Sequence, residues 1–240
     1  MNKSSSYLQD ISLVTNNFGD ATVFAHVLDG WLDVLGGKPG EVVVVDAGSD
    51  SGTQDIYWQL FQDRKIDKLQ IIQTDHKDNQ GSQATGYIQE YTAAAISNKP
   101  YILWFHIHTL PKPKEADRWL EEAIAYLERL DTLAISGPFN VLSKHHDAWP
   151  GWYFSDQCSL DFLLIKRSIL MNAVYDYTGE LIISGHKTTD SAARPDQNGS
   201  VVEAALEIYS QRQGLYTLCQ GEGPNDLINS SPLYQTISQN

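Results

Sequence analysis

The stretch EVVVVDAGSDSGTQDIYWQLF, Glu41 to Phe61, decides the fold. Four consecutive valines make a buried strand of the kind found inside parallel sheets. Asp46 ends the strand, Ala47 and Gly48 turn the chain, and Ser49, Asp50 and Ser51 supply caps for the helix that follows. The same strand-then-helix unit recurs on both sides. Upstream, ISLVT (11–15) reads as a strand and NNFGD as a turn. Val23, Phe24, Val27, Leu28, Trp31, Leu32 and Leu35 then repeat at helical spacing until GGKPG stops them. Downstream, LQIIQ (69–73) is a strand and Gly86–Ile96 a helix. YILWF (101–105) is a strand, Ala116 to Leu130 an amphipathic helix, and LAISG (133–137) a strand. Five alternations predict a doubly wound, mostly parallel α/β sheet in one domain, residues 1–222, with a C-terminal tail, 223–240. Such sheets bind ligands at the carboxyl ends of their strands. Asp46 and the pair His106 and His108, in YILWFHIHTLPKP (101–113), sit at such ends.

Beyond residue 137 the pattern loosens. HHDAWPGWYFSD (145–156) reads as an aromatic loop, LDFLLIKRSIL (160–170) as an apolar run, and VVEAALEIYSQRQG as a last helix stopped by Gly214. The formal net charge of −13 lacks the positive footprint of a nucleic-acid binder. No apolar run approaches the length that spans a bilayer, and MNKSSSYLQD has no signal-peptide core. Two cysteines without metal-type spacing complete the expectation of a reduced, cytoplasmic protein.

Read as an extended segment, His106-Ile107-His108 puts both imidazoles on one side of the chain. Two neutral imidazoles can bite a borderline divalent metal such as Zn. As imidazolium they can hold a phosphate, and as neither they merely pack. A metal needs further ligands. His145, His146 and His186 are the available histidines. Trp149, Trp152 and Tyr153 can stack on the apolar faces of a sugar or pack as a lid. Lys112, Lys114, Lys166 and Arg167 are cations that could meet a phosphate.

Several of these pieces, in this order, resemble the family 2 glycosyltransferases, which have the nucleotide-diphospho-sugar (GT-A) fold. VVVVDAGSDSGT resembles that family's first nucleotide-binding turn. GSQATGYIQEYTAAAISNKPYILWFHIHTLP resembles its helix leading into the D-x-D strand. FLLIKRSIL resembles its apolar segment with basic residues, and VVEAALEIYSQRQGLY its later helix. The resemblance spans roughly residues 10–217. It implies transfer of a sugar from a nucleotide-diphospho-sugar donor to a hydroxyl of a carbohydrate or other acceptor, with inversion. Asp46, Gly48, Ser49, His106 and His108 would meet the donor. Trp149, Trp152 and Tyr153 would meet the acceptor, and a divalent metal (Mn, Mg or Zn) would sit on His106, His108 and His186. Glu203 matches the catalytic position of the later helix, where the macrodipole favours a carboxylate, and would be the general base, with Asp190 the runner-up. The departures are specific. Ala47 replaces the second aspartate of the turn, His-Ile-His replaces D-x-D, and Val202-Glu203 replaces Glu-Asp. The signature of processive membrane synthases is absent. These departures leave an alternative open, a non-catalytic binding or regulatory relative. A His-x-His metalloenzyme of another fold is a third reading.

Overall fold

The computed structural model describes residues 7–17, 19, 21–72, 83–111, 119–137, 144–145, 152–155, 157–183, 201–220 and 234–236. The first half follows the alternation read from the sequence. In order come β1 (Ile11–Asn17), α1 (Ala21–Val34), β2 (Glu41–Asp46), α2 (Ser51–Gln62), β3 (Lys68–Ile71), α3 (Gln83–Ile96) and β4 (Tyr101–Phe105). A short β5 (Thr109–Pro111), then α4 (Trp119–Leu127) and β6 (Thr132–Ser136) follow. The second half holds β7 (Lys144–His145), β8 (Trp152–Ser155), β9 (Phe162–Lys166), α5 (Arg167–Ile183), α6 (Val201–Gln213), β10 (Tyr216–Gln220) and β11 (Tyr234–Thr236).

Among the described residues, nine strands form one sheet in the order β3-β2-β1-β4-β9-β6-β10-β8-β7. β3, β2, β1 and β4 pair in parallel, as do β6 and β10. The apolar run at 160–170 proves to be two elements. Its first part, β9, inserts antiparallel between β4 and β6, and its second opens α5. The aromatic segment read as a loop contains β8, which pairs antiparallel with β10. The tail also takes part, because β11 pairs antiparallel with β5.

Both sheet faces are covered, so the central strands are buried throughout and carry no polar alternation. Val42 to Val45 are all fully buried. Leu13, Val42, Val44, Leu103, Phe105 and Leu164 pack against α1, α2 and α4. Val14, Val43, Val45, Trp104, Leu163 and Ile165 pack against α3, α5 and α6. Strand parity assigns each rim residue to one of these two faces.

α1 ends as GGKPG predicts. Gly36 has φ +72° and Gly37 donates its N–H to Leu32 O at 2.9 Å, while Gly36 N–H reaches Asp33 O at 3.0 Å. This is the paired closure of a Schellman motif. The predicted apolar stripe of α4 runs one turn too far. The helix stops at Leu127, and Leu130 lies in the following turn, 97% exposed. α2 closes in the same manner as α1, but on Arg64 with φ +58°. A non-glycine residue there costs about 1–2 kcal/mol, and a glycine returns part of that through unfolded-chain entropy. Arg64→Gly is therefore expected to stabilise the fold by about 0.5–1 kcal/mol, read by denaturant titration. A loss of stability would contradict the strain assigned to this residue.

Candidate functional site

Asp46 and His106 leave the sheet at the same carboxyl-end rim, as expected, but they are not on adjacent strands. β1 lies between β2 and β4, and the side chains belong to opposite faces. Asp46 has the parity of Val42 and Val44, on the α1–α2 side. His106 has the parity of Ile102 and Trp104, on the α3–α5–α6 side.

On the first face Asp46 is fully buried. Its Oδ2 accepts the N–H groups of Gly48 (2.9 Å) and Ser49 (2.8 Å), and its Oδ1 accepts the Ser49 hydroxyl. Ser49 Oγ also accepts the Gly19 N–H at 2.8 Å, so the β1–α1 and β2–α2 turns are tied together. Gly48, at φ +85°, supplies the left-handed step of the turn. The helix cap is Asp50, which accepts the Thr53 N–H at 2.8 Å. Beneath, Asn17 Nδ2 donates to the Tyr57 hydroxyl, and burial pushes the Tyr57 phenol well above its usual range. Asp46 thus shapes the turn, and the Gly48 and Ser49 amides and the Ser49 hydroxyl are engaged in holding it.

On the second face the chain does not stay extended through the histidines, contrary to the sequence reading. β4 ends at Phe105, and Thr109 N–H returns to His106 O at 2.8 Å, closing a β-turn. Ile107 is buried in the same core cluster as Leu103 and Phe105. The imidazoles still lie side by side, with centroids 5.1 Å apart at 44°. The His108 N–H donates to His106 Nδ1 at 3.3 Å. Burial pushes the His106 imidazole below its usual range; the Asp161 charge pulls it up and His108 pushes it down. A neutral ring that accepts at Nδ1 carries its proton on Nε2.

This arrangement fits a divalent metal poorly. His106 Nδ1 faces the His108 amide, and the described residues contain no group of three or more His, Cys, Asp or Glu able to hold an ion. His186 lies outside the described residues.

Glu203 sits in the first turn of α6, and its Oε1 accepts the Leu160 N–H at 2.7 Å. The next residue, Asp161, accepts the His106 N–H on its carbonyl at 3.0 Å. Phe105 pairs with Phe162 in the antiparallel β4–β9 ladder, so His106 and Asp161 stand opposite each other one step beyond it. Such cross-strand side chains are about 5 Å apart at Cβ. The segment Leu160–Asp161 therefore joins Glu203 to the histidine turn. Sequence reading missed Asp161. Its only signal was a carboxylate just before an apolar strand, which becomes informative once that strand is known to run against β4.

The remaining predicted residues divide. Asp190, Trp149, His146, Lys112 and Lys114 lie outside the described residues. Tyr153 is buried in β8, and His145 lies in β7 at the far edge, five strands from β4. Trp152 belongs to the same strand as Tyr153 and pairs with Gln220. Lys166 and Arg167 lie at the opposite end of the sheet, because β9 runs backwards. Lys166 meets Glu128 at 3.3 Å and Arg167 donates to Ala95 O at 3.2 Å, so neither serves a phosphate at the rim.

No helix among the described residues is long and apolar enough to cross a membrane. At the level of sequence, no family model and no curated relative matches the chain. Solved structures do. S. aureus TarS superposes with a TM-score of 0.53 at 11% identity, over 95% of this chain and 37% of TarS. Its 1–349 fragment gives 0.49 at 11% identity, over 93% and 59%. The mannosyltransferase PcManGT from Pyrobaculum calidifontis, solved with GDP-Man and Mn2+, gives 0.49 at 15% identity, over 91% and 55%. The chain spans roughly a third to three fifths of the length of these proteins. The likeness to TarS shows a shared α/β fold, a GT-A-like architecture, and leaves the motif detail to the residues themselves.

Proposed function

We propose that the protein transfers a sugar from a nucleotide-diphospho-sugar to an acceptor hydroxyl, with inversion at the anomeric carbon. The observation that carries the reading is convergence. Segments far apart in sequence, at Asn16–Asn17, His106–His108, Asp161 and Glu203, meet at the carboxyl-end rim of a GT-A-like sheet. Brought together they span what the reaction requires. The Gly48–Ser49 turn and the His106 turn receive the nucleoside and the diphosphate. Glu203 takes the proton from the acceptor hydroxyl. The acceptor oxygen forms its bond to the anomeric carbon as the bond from that carbon to the diphosphate oxygen breaks, and the nucleoside diphosphate leaves with the electron pair. His106, neutral with Nε2–H, supplies a hydrogen bond to that leaving group without being charged itself.

A second reading, a non-catalytic nucleotide-binding relative, is favoured by one observation: the oxygens of Asp46 are engaged by its own turn. Thermal shift with a panel of nucleoside diphosphates, followed by turnover of the matching nucleotide sugars, separates the two. The expected result is a raised midpoint with at least one nucleotide, indifferent to chelator, and release of that nucleotide from its sugar donor. Binding without turnover selects the second reading. Indifference to every nucleotide overturns both.

A further inference from the structure

The chain order places β2 and β3 on one side of β1 and β4 on the other, so the sheet's switch point lies between β1 and β4. Open α/β sheets form their ligand crevice where the order reverses. The residues at that point are His106 and, level with it, Asn16: Val14 is the register partner of Trp104, and Asn16 lies two residues further on, on the same face. Asn16 Nδ2 donates to Gln89 Oε1 at 3.3 Å. Gln89 comes from the sheet-facing side of α3, one turn before Ala93, and is 8% exposed.

The mutual bond uses one donor and one acceptor. Asn16 keeps its side-chain oxygen and Gln89 its NH₂, and neither has another partner among the described residues. If both amides are flipped, Gln89 donates to Asn16, and the groups left over are again one acceptor and one donor. Neither leftover group is among the side-chain polar atoms buried without a partner, so both are open to solvent, and a ligand that displaces that water must supply hydrogen bonds in its place. The pair therefore offers an acceptor beside a donor at the crevice. That matches the edge of a nucleobase, where an N–H lies next to a ring nitrogen or carbonyl oxygen. We infer that the Asn16–Gln89 amide couple reads the base of the nucleotide and sets the preference among bases. The inference rests on the nucleotide-sugar reading above and adds the selecting residues to it.

Calorimetric titration with UDP, GDP, ADP, CDP and pyrophosphate tests this on the full chain. Wild-type protein is expected to prefer one base. Gln89→Met keeps the length of the side chain and removes its hydrogen bonds. It should weaken the preferred nucleotide about tenfold and flatten the preference, while pyrophosphate affinity and melting midpoint stay unchanged. Asn16→Ala, at a half-exposed position, should do the same and guards against a folding defect in the first variant. Gln89→Glu, which replaces the donor by an acceptor, should shift the preference rather than only flatten it. Preference unchanged in both Gln89→Met and Asn16→Ala overturns the inference, as does a parallel loss of pyrophosphate binding. A wild-type protein that binds none of the nucleotides overturns the nucleotide reading itself, and this inference with it.

Discussion

Glu203→Gln should lower sugar transfer about a hundredfold, the scale of a lost general base, with nucleotide affinity retained. The geometry makes this substitution unusually clean. Glu203 has two duties in the proposed site: one carboxylate oxygen accepts the Leu160 N–H, and the carboxylate as a whole takes the acceptor's proton. Glutamine keeps an oxygen for Leu160, so the 157–161 segment and Asp161 stay where they are. The proton acceptor is lost, and kcat falls while KM for the donor holds. Glu203→Ala removes both duties. It should cost stability as well, because the Leu160 N–H loses its partner. Equal activity in wild type and Glu203→Gln would move the base elsewhere, with Asp161 first in line because it stands across from His106 on the same rim.

The sheet was legible in the sequence where physics leaves one choice. A run such as Val42–Val45, followed directly by turn and cap residues, has no stable home except a buried strand feeding a helix, and the unit repeats from β1 to β4. The reading lost resolution at Phe162–Lys166. A strand buried on both faces shows no alternation, and apolarity alone does not say whether it runs with or against its neighbours. That ambiguity cascaded into the site. With β9 undirected, Asp161 could not be placed beside His106, nor Lys166 and Arg167 at the opposite end. The histidines lie together as their spacing implied, but not by the assumed route. Their one-residue spacing implies a common direction only on an extended chain, and here the chain closes a β-turn from His106 to Thr109. The Asn16–Gln89 couple was invisible because two amides 73 positions apart carry no local pattern. Glu203 was placed by resemblance, and its bond to Leu160 emerged only from the packing of α6.

The second large effect lies at the other end of the sheet. Glu41→Ala should destabilise the protein by about 3 kcal/mol. Glu41 opens β2 and is almost wholly buried. Its Oε1 accepts the Ser12 hydroxyl at 2.6 Å and the Asn98 N–H, and its Oε2 meets Lys68 Nζ at 2.6 Å. Lys68 also donates to Ile96 O at 2.6 Å. One carboxylate thereby fastens the starts of β1, β2 and β3 to the end of α3. Burial alone would raise its pKa, but the Asn98 N–H, Lys68 and Ser12 together outweigh it and hold the carboxyl below its usual range. The sign follows from that direction. A carboxyl depressed in the folded state stabilises the fold at pH above its unfolded pKa of about 4.3, and the contribution disappears as pH falls through the lower, folded value. Alanine strands three donors at once, and Lys68, being partly exposed, is the one that recovers water. Glu41→Gln keeps an acceptor and loses the ion pair, so it should cost about half as much. Its deficit against wild type should begin to shrink below about pH 4.3, where the unfolded chain takes up a proton that the folded carboxyl still resists, and should vanish only below the lower, folded value. Urea titration at pH 7 and pH 3.5 reads both effects. A loss under about 1 kcal/mol for Glu41→Ala at pH 7, or a Glu41→Gln deficit that does not change with pH, would show that the cluster holds the strands by packing rather than by charge.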